Sequence, residues 1–149
     1  MNWKLLKFEE FDVNRLYEVL KLRVDVFIVE QNCPYPEIDG SDQEALHLMY
    51  IENEEVLAYS RIFPPGAMYD ACAIGRVIVK SKARGTGLAK ELMEKAIETA
   101  ENEWQVETIK ICAQSHLQKF YASVGFITIS DEFDEDGIPH VYMVRNKGK

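Results

Sequence analysis

Two glycines and several basic side chains mark the segment of this chain best suited to bind an anion. Gly85 and Gly87 are separated by one residue, and the basic residues around them are Lys80, Lys82, Arg84 and Lys90. A helix that begins directly after such a segment points its unpaired backbone N–H groups and the positive end of its dipole at it. Glycines also let a bulky phosphate approach the main chain closely. These residues therefore predict a phosphate-binding loop.

The residues on either side predict the two elements that position this loop. Before it lies a β-branched run typical of a buried strand, made of Ile74, Val77, Ile78 and Val79. After it, apolar residues recur at helical spacing, at Leu88, Leu92, Ala96 and Ile97. The loop is neither a dinucleotide fingerprint, which needs a third glycine, nor a P-loop, which ends in Gly-Lys-Ser/Thr. The alternative interpretation is an ordinary strand-to-helix connection with a solvated basic face.

The overall charge of the chain makes this basic segment stand out. The 149 residues include 17 Lys and Arg against 25 Asp and Glu, for a formal net charge of -8. Basic residues gathered in one place on an acidic background indicate a bound anion there. The same balance argues against nucleic acid or a membrane as a partner and favours cationic substrates such as amines. The length fits a single domain, residues 1–149.

The three cysteines and the N-terminus indicate where the protein works. Cys33, Cys72 and Cys112 have no metal-ligand spacing, so they predict neither a disulfide framework nor a metal site. They are typical of small apolar residues in a reducing compartment. The first residues lack the apolar core of a signal peptide, and no stretch has membrane-spanning length. We therefore expect a cytoplasmic protein.

Apolar periodicity and turn residues predict the element order β-α-β-β-β-α-β-α-β-β, a mixed sheet flanked by helices. The expected strands are 3–8, 45–51, 56–63, 74–79, 106–113, 126–129 and 140–145. The expected helices run from an Asp12 cap to near Glu30, from Gly87 to about Glu101, and from a Ser115 capping box to Gly125. Residues 31–40 predict a loop with two prolines, and the acidic residues 131–137 predict a solvated hairpin turn.

Several of these segments resemble one enzyme family. Residues 84–89, Arg-Gly-Thr-Gly-Leu-Ala, resemble the Arg/Gln-x-x-Gly-x-Gly/Ala pyrophosphate loop of the GCN5-related N-acetyltransferases (GNAT). Residues 120–126, Phe-Tyr-Ala-Ser-Val-Gly-Phe, resemble that family's Tyr-x-x-x-Gly-Phe signature. The segments that resemble its ElaA-like branch are 22–31, 33–36, 113–118 and 135–140. The resemblance implies the GNAT fold of the α/β (α+β) class, with a mixed, mostly antiparallel sheet flanked by helices.

The resemblance also implies a donor and a set of site residues. The donor would be acetyl-CoA, whose pyrophosphate would bind the loop formed by Arg84, Gly85, Thr86, Gly87, Leu88 and Ala89. A backbone N–H of Val77, Ile78 or Val79 would stabilise the oxyanion. Gln114 occupies a position where many relatives carry an Asn that contacts pantetheine. Tyr121 would protonate the departing sulfur, because a phenol with a reference pKa near 10 is protonated at neutral pH.

The general base is less clear from the sequence. Relatives often carry a Glu on a central strand, but residues 74–79 contain none. Glu30 and His47 are the candidates. Each also has a structural interpretation, in which Glu30 pairs with a basic residue and His47 is a structural histidine on a strand. A water chain or an already neutral amine would remove the need for a base. His140 is a further candidate for lining the acceptor site, although nothing in the sequence requires it there.

Three functions compete on these observations. The leading one is transfer of acetyl from acetyl-CoA directly to a primary amine, small molecule or peptide, that the sequence does not identify. The second is a non-catalytic acyl-CoA-binding or sensor module. The third is an acyltransferase related to autoinducer synthases, because residues 22–31 also resemble that group. Cys112 lies on a strand beside the donor, but no His is placed in the sequence to activate it as an acyl acceptor.

Overall fold

One twisted sheet organises the chain from Trp3 to Asn146 in the computed structural model, which describes residues 2–148. Across these residues the strands are β1 Trp3–Lys7, β2 Leu46–Glu52, β3 Glu55–Phe63, β4 Cys72–Val79, β5 Thr108–Gln114, β6 Ile127–Thr128, β7 Phe133–Glu135 and β8 Ile138–Asn146. The α-helices are α1 Val13–Val24, α2 Leu88–Trp104 and α3 Gln118–Ala122. The spatial order is β1-β2-β3-β4-β5-β8-β6, with β7 paired to β8. The predicted mixed, mostly antiparallel sheet is confirmed.

The sheet splits between its two central strands. Within residues 2–148, β4 and β5 are the parallel pair, and they are in register only at Cys72–Ile109 and Ala73–Lys110. Beyond these two pairs the strands diverge, although β4 continues to Val79 and β5 to Gln114. The backbone edges that face each other across this wedge are therefore free to bind something other than a strand.

Helices cover both faces of the sheet. Alternate strand residues point to opposite faces, so Tyr59 and Ile78 pack with α1 while their neighbours Ala58 and Val79 join the core beneath α2. The Asp12 side chain accepts a hydrogen bond of 2.8 Å from the backbone N–H of Arg15 and so caps α1 as predicted. The larger core lies under α2 and α3. Its buried residues include Leu92, Met93, Ala96, Ile97, Tyr121 and Phe126.

Four local predictions need correction. The first helix ends at Val24 and continues as a π-helical stretch over Asp25–Glu30. The second helix runs on to Trp104. Residues 115–117 form a 3-10 turn, and among the described residues the buried Ser115 hydroxyl has no hydrogen-bond partner, so it caps nothing. The acidic segment is not wholly a turn, because Phe133–Glu135 pairs with β8.

Candidate active site

The wedge between β4 and β5 opens into a cleft of about 630 Å³. Its walls come from β4, β5, the 3-10 turn at residues 115–117, Tyr121 of α3, the segment after α1 and the β7–β8 hairpin. Of the predicted site residues, the cleft is lined by Glu30, Val77, Ile78, Val79, Arg84, Gln114 and Tyr121. Thr86, Gly87 and Leu88 line a neighbouring cavity of about 520 Å³. The glycine loop therefore lies beside the cleft, and His47 lines neither cavity.

The glycine loop leaves open surface next to the start of α2. Gly85 and Gly87 have φ of +80° and +86°, and a Cβ at either position would meet no atom within 4 Å, so the surface above both is open. The Thr86 hydroxyl donates a 2.6 Å hydrogen bond to the Ala83 carbonyl and holds the loop against its own 3-10 turn. The first helical bond of α2 is made by the Glu91 N–H to the Gly87 carbonyl at 3.2 Å. The N–H groups before it therefore remain available to an anion.

The Arg84 side chain is fixed by two contacts within the cleft. Its Nε donates to the Val79 carbonyl at 2.8 Å, and its terminal nitrogens donate to both carboxylate oxygens of Glu30 at 2.8 and 3.2 Å. This bidentate pair joins the end of the π-helical stretch to the glycine loop. Glu30 therefore pairs with a basic residue, which is the structural alternative that its sequence position left open.

The backbone of β4 presents a free N–H to the wedge. The Lys80 N–H bonds to the Leu57 carbonyl on β3 at 2.8 Å, and hydrogen-bonding groups alternate between the two edges of a strand. The Val79 N–H and carbonyl therefore point to the other edge, where that carbonyl accepts from Arg84. Because β5 does not pair with β4 at this level, the Val79 N–H faces the cleft.

A β-bulge distorts the pairing of β3 with β4 near this edge. The β3–β4 register shifts by one residue between Tyr59 and Arg61, and opposite the shift Arg76 has a left-handed φ of +51°. A bulge of this kind leaves an extra residue unpaired and bends its strand. It lies next to the point where β4 turns away from β5.

Tyr121 lies on the buried side of α3 and lines the cleft. The ring is 8% exposed and packs edge-on against Phe120 and Phe126, with centroid distances of 5.1 and 6.2 Å. Burial raises the pKa of this phenol to about 12. No group within residues 2–148 hydrogen-bonds to the hydroxyl. Tyr121 is thus a protonated donor without a protein partner.

Two side chains of β5 complete the floor of the cleft. The Gln114 amide donates to the side-chain oxygen of Gln31 at 3.2 Å, which fixes its orientation. The Cys112 thiol donates to the Glu135 carboxylate, with sulfur and oxygen 3.5 Å apart. Burial raises the pKa of Cys112 to about 12, and the charge of Glu135 acts in the same direction. The thiol is therefore a poor nucleophile at neutral pH.

His47 has a structural position. It is 1% exposed, its Nδ1 lies 2.6 Å from the Tyr59 hydroxyl, and its Nε2 lies 2.9 Å from the Asp42 carbonyl oxygen. Burial lowers the pKa of its imidazole. With both ring nitrogens engaged and no surface on the cleft, it has no free position from which to take a proton from a substrate.

A buried network of three arginines and three carboxylates holds the segment after α1. Its members are Arg23, Arg61, Arg76, Glu37, Asp39 and Asp42. Arg23 is fully buried and donates to Glu37 at 2.7 Å and to Asp42 at 2.8 Å. Charged groups at this depth need such pairing, although among the described residues the buried Nε of Arg61 has no partner. The network fixes the segment that carries Tyr35 and Asp39 into the cleft.

The cleft also contains a carboxylate to which the sequence assigned no role, although it lies in the ElaA-like segment 135–140. Glu135 lies on β7 and lines the cleft together with Asp136, Ile138 and His140 of the same hairpin. In a strand, alternate residues such as Phe133 and Glu135 lie on the same face, so their spacing could have indicated that both side chains point the same way. A strand of three residues is too short for this alternation to be recognised in the sequence.

The described residues contain no cluster of His, Cys, Asp and Glu that could hold a metal ion. Between residues 2 and 148, no helix combines the length and apolar character needed to cross a bilayer.

Comparison with known proteins decides the family. Residues 19–147 match the family described as Acetyltransferase (GNAT) domain. The chain belongs to the GNAT family. The protein ElaA of Escherichia coli (strain K12) is 42% identical over 147 residues, which cover 97% of this chain and 96% of that protein. The resemblance to the ElaA-like branch is thereby confirmed.

Solved structures agree with this GNAT assignment. A crystal structure of an acyl-CoA N-acyltransferase from Pseudomonas aeruginosa has a TM-score of 0.92 at 40% identity and covers 97% of this chain and 98% of that chain. The CoA-dependent acyl-homoserine lactone synthase BjaI shares the fold, with a TM-score of 0.80 at 15% identity over 97% of this chain and 82% of that chain. GNAT membership makes this chain a member of a family of acyltransferases with acyl-CoA donors.

Proposed function

We propose that this GNAT chain, as one domain over residues 1–149, transfers an acetyl group from acetyl-CoA directly to a primary amine. The observation that carries the proposal is the Tyr121 hydroxyl, a protonated donor without a protein partner on a cleft that also exposes the Val79 N–H. Together they supply the two things that thioester aminolysis needs from the donor side. These are hydrogen bonding to the developing oxyanion and a proton for the sulfur.

The residues around the wedge fit the donor. Gly85 and Gly87 leave open surface above a helix N-terminus, where the pyrophosphate would bind mainly to backbone N–H groups of residues 87–89. The Gln114 amide would contact the pantetheine arm from the end of β5. Bound acetyl-CoA supplies an activated acetyl group as its thioester. The chain supplies position, hydrogen bonds and protons.

Tyr121 is the residue that would protonate the sulfur. Because burial raises its pKa to about 12, the phenol holds its proton across the neutral range and is available to a thiolate as it leaves. In the same step the Val79 N–H would stabilise the carbonyl oxygen, as a fixed dipole at the edge of β4. Val77 and Ile78 belong to the same bent edge and set its direction.

The transfer is direct in this proposal. Two thiols line the cleft, and that of Cys33 donates to the Asp136 carbonyl. Cys112 is the thiol on β5, beside the wedge, but its pKa near 12 and its carboxylate neighbour oppose formation of a thiolate. A covalent acyl-enzyme is therefore disfavoured. The amine would attack the thioester bound in the wedge without an intermediate on the protein. The free state of Cys33, Cys72 and Cys112 fits a reducing compartment, and we place the reaction in the cytoplasm.

The test is thiol release from acetyl-CoA in the presence of butylamine, phenethylamine, spermidine and a lysine-containing peptide, with Tyr121→Phe beside the wild type. We expect amine-dependent release by the wild type and a kcat lowered about 10²–10⁴-fold in Tyr121→Phe. The Kd for acetyl-CoA should stay within about twofold, because an acid acts after binding. Tyr17→Phe, at an exposed ring far from the core, is the matched control.

Each failure of this test has its own meaning. Equal loss of kcat and acetyl-CoA affinity in Tyr121→Phe would make the ring structural. Saturable acetyl-CoA binding without thiol release by the wild type would instead support a non-catalytic acyl-CoA-binding module. A wild type that does not bind acetyl-CoA would refute the role of the glycine loop.

A further inference from the structure

The carboxylates of the cleft differ in whether an arginine neutralises them. Glu30 is paired with Arg84, and Asp39 is paired with Arg61 and Arg76. Glu135 makes no salt bridge within the described part of the chain. Its side-chain contact is the Cys112 thiol, a neutral group. An unneutralised carboxylate in a cleft attracts a cation.

The nearby Lys110 side chain is held by two aromatic rings. The Lys110 ammonium lies over the rings of Tyr69 and Tyr142, 4.7 and 4.4 Å from their centroids. Lys110 and Cys112 are on the same face of β5, yet the lysine does not pair with Glu135. The charge of Glu135 therefore remains available to a ligand.

The β7–β8 hairpin places Glu135 on the cleft, beside β5. Glu135 pairs with Ile138 across the β7–β8 hairpin, so its side chain is on the same face as that residue, and both line the cleft. It reaches Cys112 on β5, two residues before Gln114. The neighbouring Asp136 is at the turn, with a left-handed φ of +52°, and is fixed through its carbonyl, which accepts from the Cys33 thiol at 3.0 Å. Of the two acidic residues, Glu135 is the one that contacts the floor.

We propose that Glu135 binds the ammonium group of the acceptor amine and takes its proton. The assignment rests on the proposed acetyl transfer and names the base that the sequence left open. One proton of the bound ammonium passes to a carboxylate oxygen of Glu135 and then to solvent. The freed lone pair forms the N–C bond as the C–S bond breaks, and Tyr121 gives its proton to sulfur. The second proton of the nitrogen restores Tyr121, so each turnover yields one amide, one free CoA thiol and one proton.

The test compares Glu135→Gln with Glu132→Gln, a change of the same chemistry at an exposed residue of the same acidic segment that lies outside the cleft. With phenethylamine and acetyl-CoA at pH 7, we expect kcat/KM for the amine to fall about a hundredfold or more in Glu135→Gln and less than twofold in Glu132→Gln. The Kd for acetyl-CoA should not change. Cys112 should also alkylate faster with iodoacetamide in Glu135→Gln, because the neighbouring charge that opposes its thiolate is gone.

The pH dependence separates a base from a structural residue. A primary amine has a reference pKa near 10.4, so raising the pH from 7 to about 9.5 increases its neutral fraction roughly 300-fold. We expect the deficit of Glu135→Gln to shrink at least tenfold over this range, since a neutral amine needs no base.

Four results would overturn the assignment. The first is wild-type kcat/KM in Glu135→Gln, and the second is a deficit of that variant that stays unchanged at pH 9.5. The third is a greater loss of activity in Asp136→Asn or His140→Asn than in Glu135→Gln. The fourth is a wild type that releases no thiol with any amine. This result would overturn the proposed acetyl transfer itself, and it differs from the first three because it is seen without any variant.

Discussion

Replacing Glu37 by Gln should destabilise the protein strongly although it changes only one atom of the side chain. Glu37 is 2% exposed and accepts from the Nε atoms of Arg23 and Arg76, each at 2.7 Å, and from the Tyr35 hydroxyl. Arg23 is fully buried, so the guanidinium would lose one of its two carboxylate partners and keep only Asp42. The size and shape of the side chain remain. The loss is therefore one of charge.

The magnitude follows from burial. Breaking a buried ion pair by neutralising one partner costs about 3–5 kcal/mol, because the other charge stays buried with incomplete compensation. For a chain of 149 residues, each kcal/mol corresponds to roughly 2–4 °C in Tm. Glu37→Gln should therefore lower Tm by about 6–20 °C.

The assay is thermal and urea unfolding followed by circular dichroism, with Glu44→Gln as the control. Glu44 is an exposed acid in the same connection between α1 and β2 and should change the free energy of unfolding by less than about 0.5 kcal/mol. Arg23→Met should cost a similar amount to Glu37→Gln. The double variant should cost less than the sum, since both changes break the same pair. The stabilising network would be refuted if Glu37→Gln lowered the free energy of unfolding by less than about 1 kcal/mol. It would also be refuted if the effects of Glu37→Gln and Arg23→Met simply added in the double variant.

Two further predictions concern the donor side. Glu30→Gln should leave kcat within about twofold and change the Kd for acetyl-CoA by no more than about fivefold, because an ion pair whose side chains are nearly half exposed contributes about 0–1 kcal/mol. A hundredfold fall in kcat, measured by thiol release, would instead identify Glu30 as the base. Gly87→Ala should lower stability by about 1–2 kcal/mol through left-handed strain and also weaken acetyl-CoA binding in calorimetry. Gly66→Ala, at a glycine with φ of +90°, is the control and should lose a similar amount of stability without weaker acetyl-CoA binding.

The local features of this fold could be predicted from the sequence. The strand before the glycine loop, the loop and the start of α2 follow from short-range signals, since β-branched residues, glycines and helical spacing act within a few residues of each other. The cap at Asp12 is likewise local. The family resemblance added the positions of Tyr121 and Gln114, which periodicity alone would treat as a buried aromatic and a polar strand end.

The pairing of distant charges could not be predicted. Arg23 binds carboxylates 14 and 19 residues away, and Arg76 binds one 39 residues away. The sequence shows that these charges exist but not which of them meet in the interior. The same limit explains His47, whose polar side chain suggests catalysis until Tyr59 and Asp42 are seen to engage both ring nitrogens.

The strand that carries the proposed donor site and the segment that borders the proposed acceptor end are connected through one strained residue. Arg76 adopts a left-handed φ of +51°, which costs a non-glycine residue roughly 1–2 kcal/mol. Its ion pair with the buried Glu37 offsets that strain, so the bulge in β4 and the position of residues 35–39 stabilise each other. The β7–β8 hairpin is outside this network and contacts the segment through the Cys33 thiol. If the proposed transfer holds, substitutions in the hairpin should therefore alter amine selection without moving the β4 edge, whereas a change at Glu37 should disturb both sides of the cleft together.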